Sequence, residues 1–291
     1  MGGGESATLR VWTWHGVRLH GGGSGDGGRP VLLLLHGMGA TGDVWYAWSD
    51  LLASRWPGRW LAPDLPGHGG SAPLDEYTFD SLAAAVAEVL DPGDRVVVLG
   101  HSLGGVVGLA LAARLGDHHG VGATGGANRV GATGGADRAR VEAVVGLGVK
   151  VAWSPDELAK AAALAGRPVA WYDSRDEAVR RHLRVSGLAD LLTVGDSRVD
   201  AGLRVEDGRW RLAMDPRCFA VGDPEMVDRL ARVPVPVLLA RGEHDPMVGD
   251  ADLAAFGIPV RTLAGLGHNA HVEDPVAVAA LLEPYGLMPA R

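Results

Sequence analysis

Short apolar runs punctuate the chain, and each is halted by polar or turn-forming residues. Residues 31–35 read VLLLL and stop at His36-Gly37, and residues 60–62 stop at Pro63-Asp64. Residues 95–99, 141–149 and 235–240 repeat the theme, and 260–263 gives a last β-type stretch. Runs that are apolar at nearly every position suit strands buried on both faces, as in a parallel sheet. Between them lie stretches with helical spacing, at 79–90 and 103–115, the latter built of small residues. Asp274-Pro275 opens another helix, with Asp at the N-cap and Pro at the first helical position. Residues 9–14 and 16–20 form two short strands joined by a turn. Strands alternating with helices predict an α/β fold: a mostly parallel central sheet flanked by helices.

Two segments break this rhythm. Residues 121–129 (VGATGGANR) and 130–138 (VGATGGADR) are tandem copies that differ at one position. Two Gly-rich copies have no hydrophobic face to bury and are too few for a solenoid. Residues 116–140 are therefore expected to be a flexible Gly-rich surface insertion. The second segment, about 152–214, is Ala/Arg/Asp-rich and helical in pattern. Trp153, Trp171, Tyr172 and Trp210 offer it a core of its own or a face to pack elsewhere. It lies between two core strands. The domain division expected is a core of residues 1–150 and 215–291 with 151–214 inserted as a helical cap.

Composition narrows the class. The 291 residues are 47% hydrophobic and 21% charged, which is ordinary globular usage. A net charge of −8 argues against general nucleic-acid binding, which needs a basic patch to neutralise phosphates. One cysteine, Cys218, can form neither an internal disulfide nor a Cys-rich metal site. Residues 1–8 are Gly-rich and polar, unlike a secretory signal, and no apolar run approaches the ~20 residues of a membrane helix. A cytoplasmic location is expected. No H-E-x-x-H, Cys cluster or phosphate-binding Gly-Lys-Ser/Thr loop is present, so neither metal nor cofactor is expected.

The candidate chemistry starts at Gly100-His101-Ser102-Leu103-Gly104, a G-x-S-x-G sequence. A Gly-rich chain matches this pattern easily by chance. Here a buried strand runs straight into it and a small-residue helix follows, the setting that holds a serine on a strained turn with its hydroxyl exposed. A serine hydroxyl is a poor nucleophile at neutral pH and needs a base, which in turn needs an orienting acid. Glu243-His244-Asp245 follows the strand at 235–240, and Gly267-His268-Asn269 follows the strand at 260–263. Each candidate lies just beyond the carboxyl end of a strand, where open α/β sheets build their sites.

With His36-Gly37-Met38-Gly39, Asp64-Leu65-Pro66-Gly67-His68-Gly69, Gly100 to Gly105, Gly242 to Asp245 and Gly267-His268 in this order, the chain resembles the α/β-hydrolase fold superfamily along nearly its whole length. The resemblance implies Ser102 as nucleophile, His268 as general base and Asp245 as orienting acid. It also implies an oxyanion hole made by the backbone N–H groups of Met38 and Leu103. Glu243 competes with Asp245, and His271 with His268. An acid after the strand at 141–149 is disfavoured, because no carboxylate follows until Asp156. His36, His68 and His101 are expected to be structural, Cys218 a bystander, and Trp45 and Trp48 core residues near the oxyanion loop. His182 with Arg175, Arg180, Arg181 and Arg184 forms a basic helical cluster; a solvated face is expected, with a site for a substrate carboxylate as the alternative. The function expected is a cofactor-independent serine hydrolase acting on a small-molecule ester or lactone. The rivals are a C–C bond hydrolase for diketone-type substrates and a non-catalytic ligand receptor on the same fold.

Overall fold

The computed structural model describes residues 10–23, 30–116 and 138–289. The tandem copies fall outside the described residues, apart from Arg138.

In chain order the elements are β1 (Arg10–Trp14), β2 (Val17–Gly22), β3 (Val31–Leu35), α1 (Ser49–Arg55), β4 (Trp60–Pro63), α2 (Phe79–Ala87), β5 (Arg95–His101), α3 (Leu103–Gly116) and β6 (Arg140–Leu147). There follow α4 (Pro155–Ala165), α5 (Arg175–Val185), β7 (Leu203–Glu206), β8 (Arg209–Leu212), α6 (Met226–Arg232), β9 (Val237–Gly242), α7 (Asp250–Ala254), β10 (Val260–Leu263), α8 (Ala270–Glu273) and α9 (Pro275–Ala279). Eight strands make one sheet in the order β1-β2-β4-β3-β5-β6-β9-β10. β2 runs antiparallel to β1 and β4, and the other neighbours are parallel.

The apolar runs are buried on both faces because the sheet is covered on both. Along β3, Val31, Leu33 and Leu35 enter one core, with α2, α3 and α6, while Leu32 and Leu34 enter the other, with Trp45, Trp48 and α5. The side-chain period of two in a strand divides a single VLLLL run between two layers. Helix α3 buries most of its length, and its glycines and alanines let it lie close to the sheet. As the sequence foretold, Asp274 caps α9, accepting hydrogen bonds from the Val276 and Ala277 N–H groups ahead of Pro275.

Some boundaries moved for local reasons. The strand expected at 235–240 begins at Val237, because Pro234 and Pro236 have no N–H to give a ladder. The segment between β6 and β9 is not purely helical: it carries the antiparallel pair β7–β8, turned by Asp207 and Gly208, both at positive φ. Its aromatic residues do not form a core. Trp171 is exposed and Trp153, Tyr172 and Trp210 are half-buried. Tyr172 and Trp210 pack against the core around Trp45 and Trp48, which the segment joins through Ala178, Val179 and Leu183 of α5 and through Leu188, Leu192 and Val199.

Candidate active site

The site is assembled in three parts from four loops at the carboxyl ends of parallel strands. The first is the turn between β5 and α3, where Ser102 sits at φ 49°. That left-handed conformation is strained for any residue but glycine, and holding it costs about 1–3 kcal/mol. The surroundings enforce it. The Ser102 N–H donates to the Leu147 carbonyl of β6 at 2.8 Å, and the Gly105 N–H to the Ser102 carbonyl at 3.0 Å. A side chain at Gly100 would strike the backbone of Gly104 and Gly105, and one at Gly104 would strike the Leu35 carbonyl.

The second loop follows β3. A Cβ on Gly37 would lie 2.6 Å from His101 Nδ1, so this loop lies directly over the serine turn. His36 fixes it from beneath: its Nδ1 donates to the Gly37 carbonyl and its Nε2 accepts the Leu65 N–H, both at 2.8 Å. Burial lowers the His36 pKa to about 4, so the ring is neutral, as this bonding pattern requires. The N–H groups of Met38 and Leu103 have no acceptor in the backbone pairing of the described residues. Both residues line the same cavity as Ser102.

The third part brings together the loops after β9 and β10. Gly242 has the carbonyls of Leu266 and Gly267 where a Cβ would be, which lets the two loops lie against each other. Asp245, its carboxylate fully buried, meets His268 Nδ1 at 2.9 Å with one oxygen and accepts the Met247 N–H at 2.8 Å with the other. Glu243 is turned elsewhere and accepts the Gly265 N–H. A carboxylate on Nδ1 sets that nitrogen as the proton-bearing one and leaves Nε2 to take a proton. Ser102 and His268 share no hydrogen bond in this arrangement; the hydrogen bonds of His268 are to Asp245 and, through its carbonyl, to His101.

His101, expected to be structural, supports the histidine from a buried position. His101 donates from Nε2 to the His268 carbonyl at 2.9 Å, and its ring lies 4.7 Å from that of His268. Behind it, His271 stacks on His101 at 4.3 Å and Trp45 on His271 at 4.6 Å. Burial pushes the pKa of His101 well below 6.5, helped by His271 and His268, and that of His271 to about 3. His271 is thus a buried neutral ring with no carboxylate on it. Trp48, whose Nε1 donates to the His271 carbonyl, and Trp45 are core residues.

Residues 32–281 match a family model described as the alpha/beta hydrolase family. The chain belongs to the α/β hydrolase family. Among curated proteins, it is 28% identical over 275 residues to the 2-succinyl-6-hydroxy-2,4-cyclohexadiene-1-carboxylate synthase of Serratia proteamaculans, covering 91% of this chain and 96% of that one. Among solved structures, an M. tuberculosis esterase superposes with a TM-score of 0.69 at 21% identity, covering 97% of this chain and 92% of that one. The thioesterase domain from the curacin biosynthetic pathway gives 0.68 at 19% identity, covering 96% and 100%. At such identities the structural likenesses establish the fold alone.

In this α/β hydrolase Ser102 opens into a cavity of about 410 Å³. Its lining includes Met38, Phe79 and Val106 and, from the segment between β6 and β9, Trp153, Leu158, Val185 and Phe219. Their role was illegible in the sequence, because an isolated apolar residue in a polar segment carries no period. Lys150, also in the lining, pairs with Glu157 at 2.9 Å. Cys218 is buried, and desolvation raises its thiol to about 12, so it holds no thiolate.

One cluster with metal-ligand chemistry lies elsewhere: His20, Asp43 and Asp64 offer donor atoms within 4.8 Å of one another. Arg18 already bridges both carboxylates, at 2.9 and 3.0 Å, and Asp64 also accepts the N–H groups of Gly42 and Gly70. Burial would raise Asp43, but the nearby His20 ring and the hydrogen bond from Arg18 hold it at about 2. The network ties the loop after β4 to that after β3. Among the described residues no helix is long and apolar enough to cross a membrane.

Proposed function

We propose that the chain is a serine hydrolase that cleaves a carboxylic ester or lactone through an acyl-enzyme. The Asp245–His268 hydrogen bond at 2.9 Å, tied through His101 to the turn that holds a strained serine in the lining of an apolar cavity, carries this reading. In it, Ser102 Oγ attacks the substrate carbonyl while His268 Nε2 takes its proton. Buried Asp245 stabilises the imidazolium that forms. Negative charge on the carbonyl oxygen is met by the Met38 and Leu103 N–H groups; removing one such donor typically costs about 2.7–4 kcal/mol of barrier. His268 returns the proton to the departing alcohol, and water activated by the same nitrogen then frees the acid and Ser102. Residues 151–214, as a cap, would roof the cavity and select the substrate by shape.

A panel of p-nitrophenyl esters and lactones of graded chain length tests this directly. Turnover is expected with the wild type and none with Ser102→Ala, and a fluorophosphonate should label Ser102 covalently. Labelling without turnover of any ester, together with cleavage of a ring-derived diketone, would replace ester cleavage by C–C bond cleavage. No labelling at all would leave a ligand receptor.

A further inference from the structure

The basic cluster of α5 does not behave as one solvated face. Arg175 is bound to the Val194 carbonyl and to Asp200, and Arg180 stands 3.9 Å from Asp176. His182 is buried, its ring packed flat on Gly202, and burial lowers its pKa to about 4. Arg181 and Arg184 are different. One helical turn apart, they line a cavity of about 420 Å³ together with Arg167, from the loop after α4. No side-chain hydrogen bond or ion pair engages any of the three among the described residues, and the lining holds no carboxylate. Three guanidinium groups around one hollow repel one another unless an anion joins them.

This hollow adjoins the Ser102 cavity. Val185 and Phe219 line both, so the two cavities share a wall that includes those side chains. Val185 also abuts the loop of Met38: a Cβ on Gly39 would lie 2.6 Å from its Cγ1. Helix α5 therefore ends against the loop that carries one N–H of the candidate oxyanion hole, with Arg181 and Arg184 on the turn just before. The Ser102 cavity is mainly apolar, and the arginine cavity supplies the uncompensated charge. A molecule that fills both has a carbonyl at one end, an apolar spacer, and an anion at the other.

We propose that Arg167, Arg181 and Arg184 form an anion subsite that takes a carboxylate or phosphate group at the far end of the ester substrate. The inference rests on the serine-hydrolase reading for the word ester, but the subsite itself does not. Guanidinium forks match the oxygens of both anions in paired hydrogen bonds, which makes arginine the suitable residue for either. Because Arg167 and Arg184 are exposed, the attraction is open to screening by salt.

The test compares esters that differ only in the terminal anion. With the anion on the acyl side, p-nitrophenyl hydrogen adipate is set against p-nitrophenyl hexanoate, with a phosphonohexanoyl ester as the phosphate-like arm. With the anion on the alcohol side, the butyryl ester of hydroxyhexanoate is set against hexyl butyrate. The wild type is expected to favour the anionic member of at least one pair by about tenfold in kcat/KM, mainly through KM, and to lose much of that preference in 0.5 M salt (about a 4 Å Debye length). The carboxylate and phosphonate arms assign the anion. In Arg181→Gln/Arg184→Gln the ratio should fall toward one, while Arg180→Gln keeps it. No preference in either pair, or a preference that survives the double substitution, overturns the proposal. Calorimetric binding of hexanoate against the uncharged hexanamide to the wild type and the double variant gives a second readout that needs no turnover. If no ester is cleaved but hexanoate binds in an arginine-dependent way, the ester reading fails and the subsite stands. If hexanoate binds no better than hexanamide, the subsite fails whatever the esters show.

Discussion

At Ser102 local preference and the fold disagree. Its φ of 49° is held by the hydrogen bond to Leu147 and by the crowding at Gly100 and Gly104. Ser102→Gly should remove ester turnover and yet raise stability by about 1 kcal/mol in urea unfolding, because glycine adopts that conformation without strain. A less stable variant would show that the turn stores no strain. Asp245→Asn tests the second residue. An amide that selects the wrong histidine tautomer costs about 10⁴-fold in a well-studied triad, and a loss of that order in kcat, with the melting temperature little changed, is expected here. Glu243→Gln, which alters only the acceptor of the Gly265 N–H, should leave kcat within a few-fold; if it proved the more damaging change, the acid would have to be reassigned. The order of Ser102, Asp245 and His268 along the chain made them legible as candidates. The support from His101 was not, since a side chain bonded to a carbonyl 167 positions away leaves no local mark.

Elements behaved as their patterns foretold wherever burial was two-sided. The runs at 31–35 and 95–99 became β3 and the bulk of β5, because a strand in the middle of a covered sheet has no polar face to show. The pair β7–β8 was missed for the opposite reason. Its residues are mostly exposed or half-buried, so no alternation survives, although Asp207-Gly208 is itself a hairpin signal. The junction of β5 and α3 offers a test at this scale. Gly104→Ala would drive a methyl into the Leu35 carbonyl and should lower stability by about 1–3 kcal/mol, the usual cost of overpacking, and lower turnover with it by shifting the serine turn. Gly166→Ala is the control: its nearest contacts are at 3.9 Å and its φ is −78°, so no loss of stability is expected. Equal melting temperatures for the two variants would remove the close approach of α3 from the account of the site.

At the scale of the whole molecule, five histidines among the described residues are buried in neutral form. Desolvation lowers His36 and His182 to about 4, His68 and His271 to about 3, and His101 well below 6.5. The unfolded chain binds protons at these rings below about pH 6.5 while the folded chain does not, so stability is full above that pH and falls as pH drops toward 4. Each ring adds up to about 1.4 kcal/mol per pH unit to that slope. Asp43, held at about 2, contributes above its ordinary range near 4 and does not offset the loss in this window. Urea unfolding at pH 7.5 and pH 5.5 should therefore show a marked drop at the lower pH; equal stabilities would mean that these rings are hydrated or paired. The sequence alone determined the layers of the fold, because two-sided burial writes itself as apolar runs. It also determined the order of the catalytic candidates, because each follows a strand that ends at the same edge of the sheet. Which acid faces His268, which rings stand behind it, and which arginines of one basic helix remain without a partner were decided only by the tertiary structure. Those are distances between residues remote in the chain, and they depend on how loops from different strands lie against one another, as at Gly242 and Gly37.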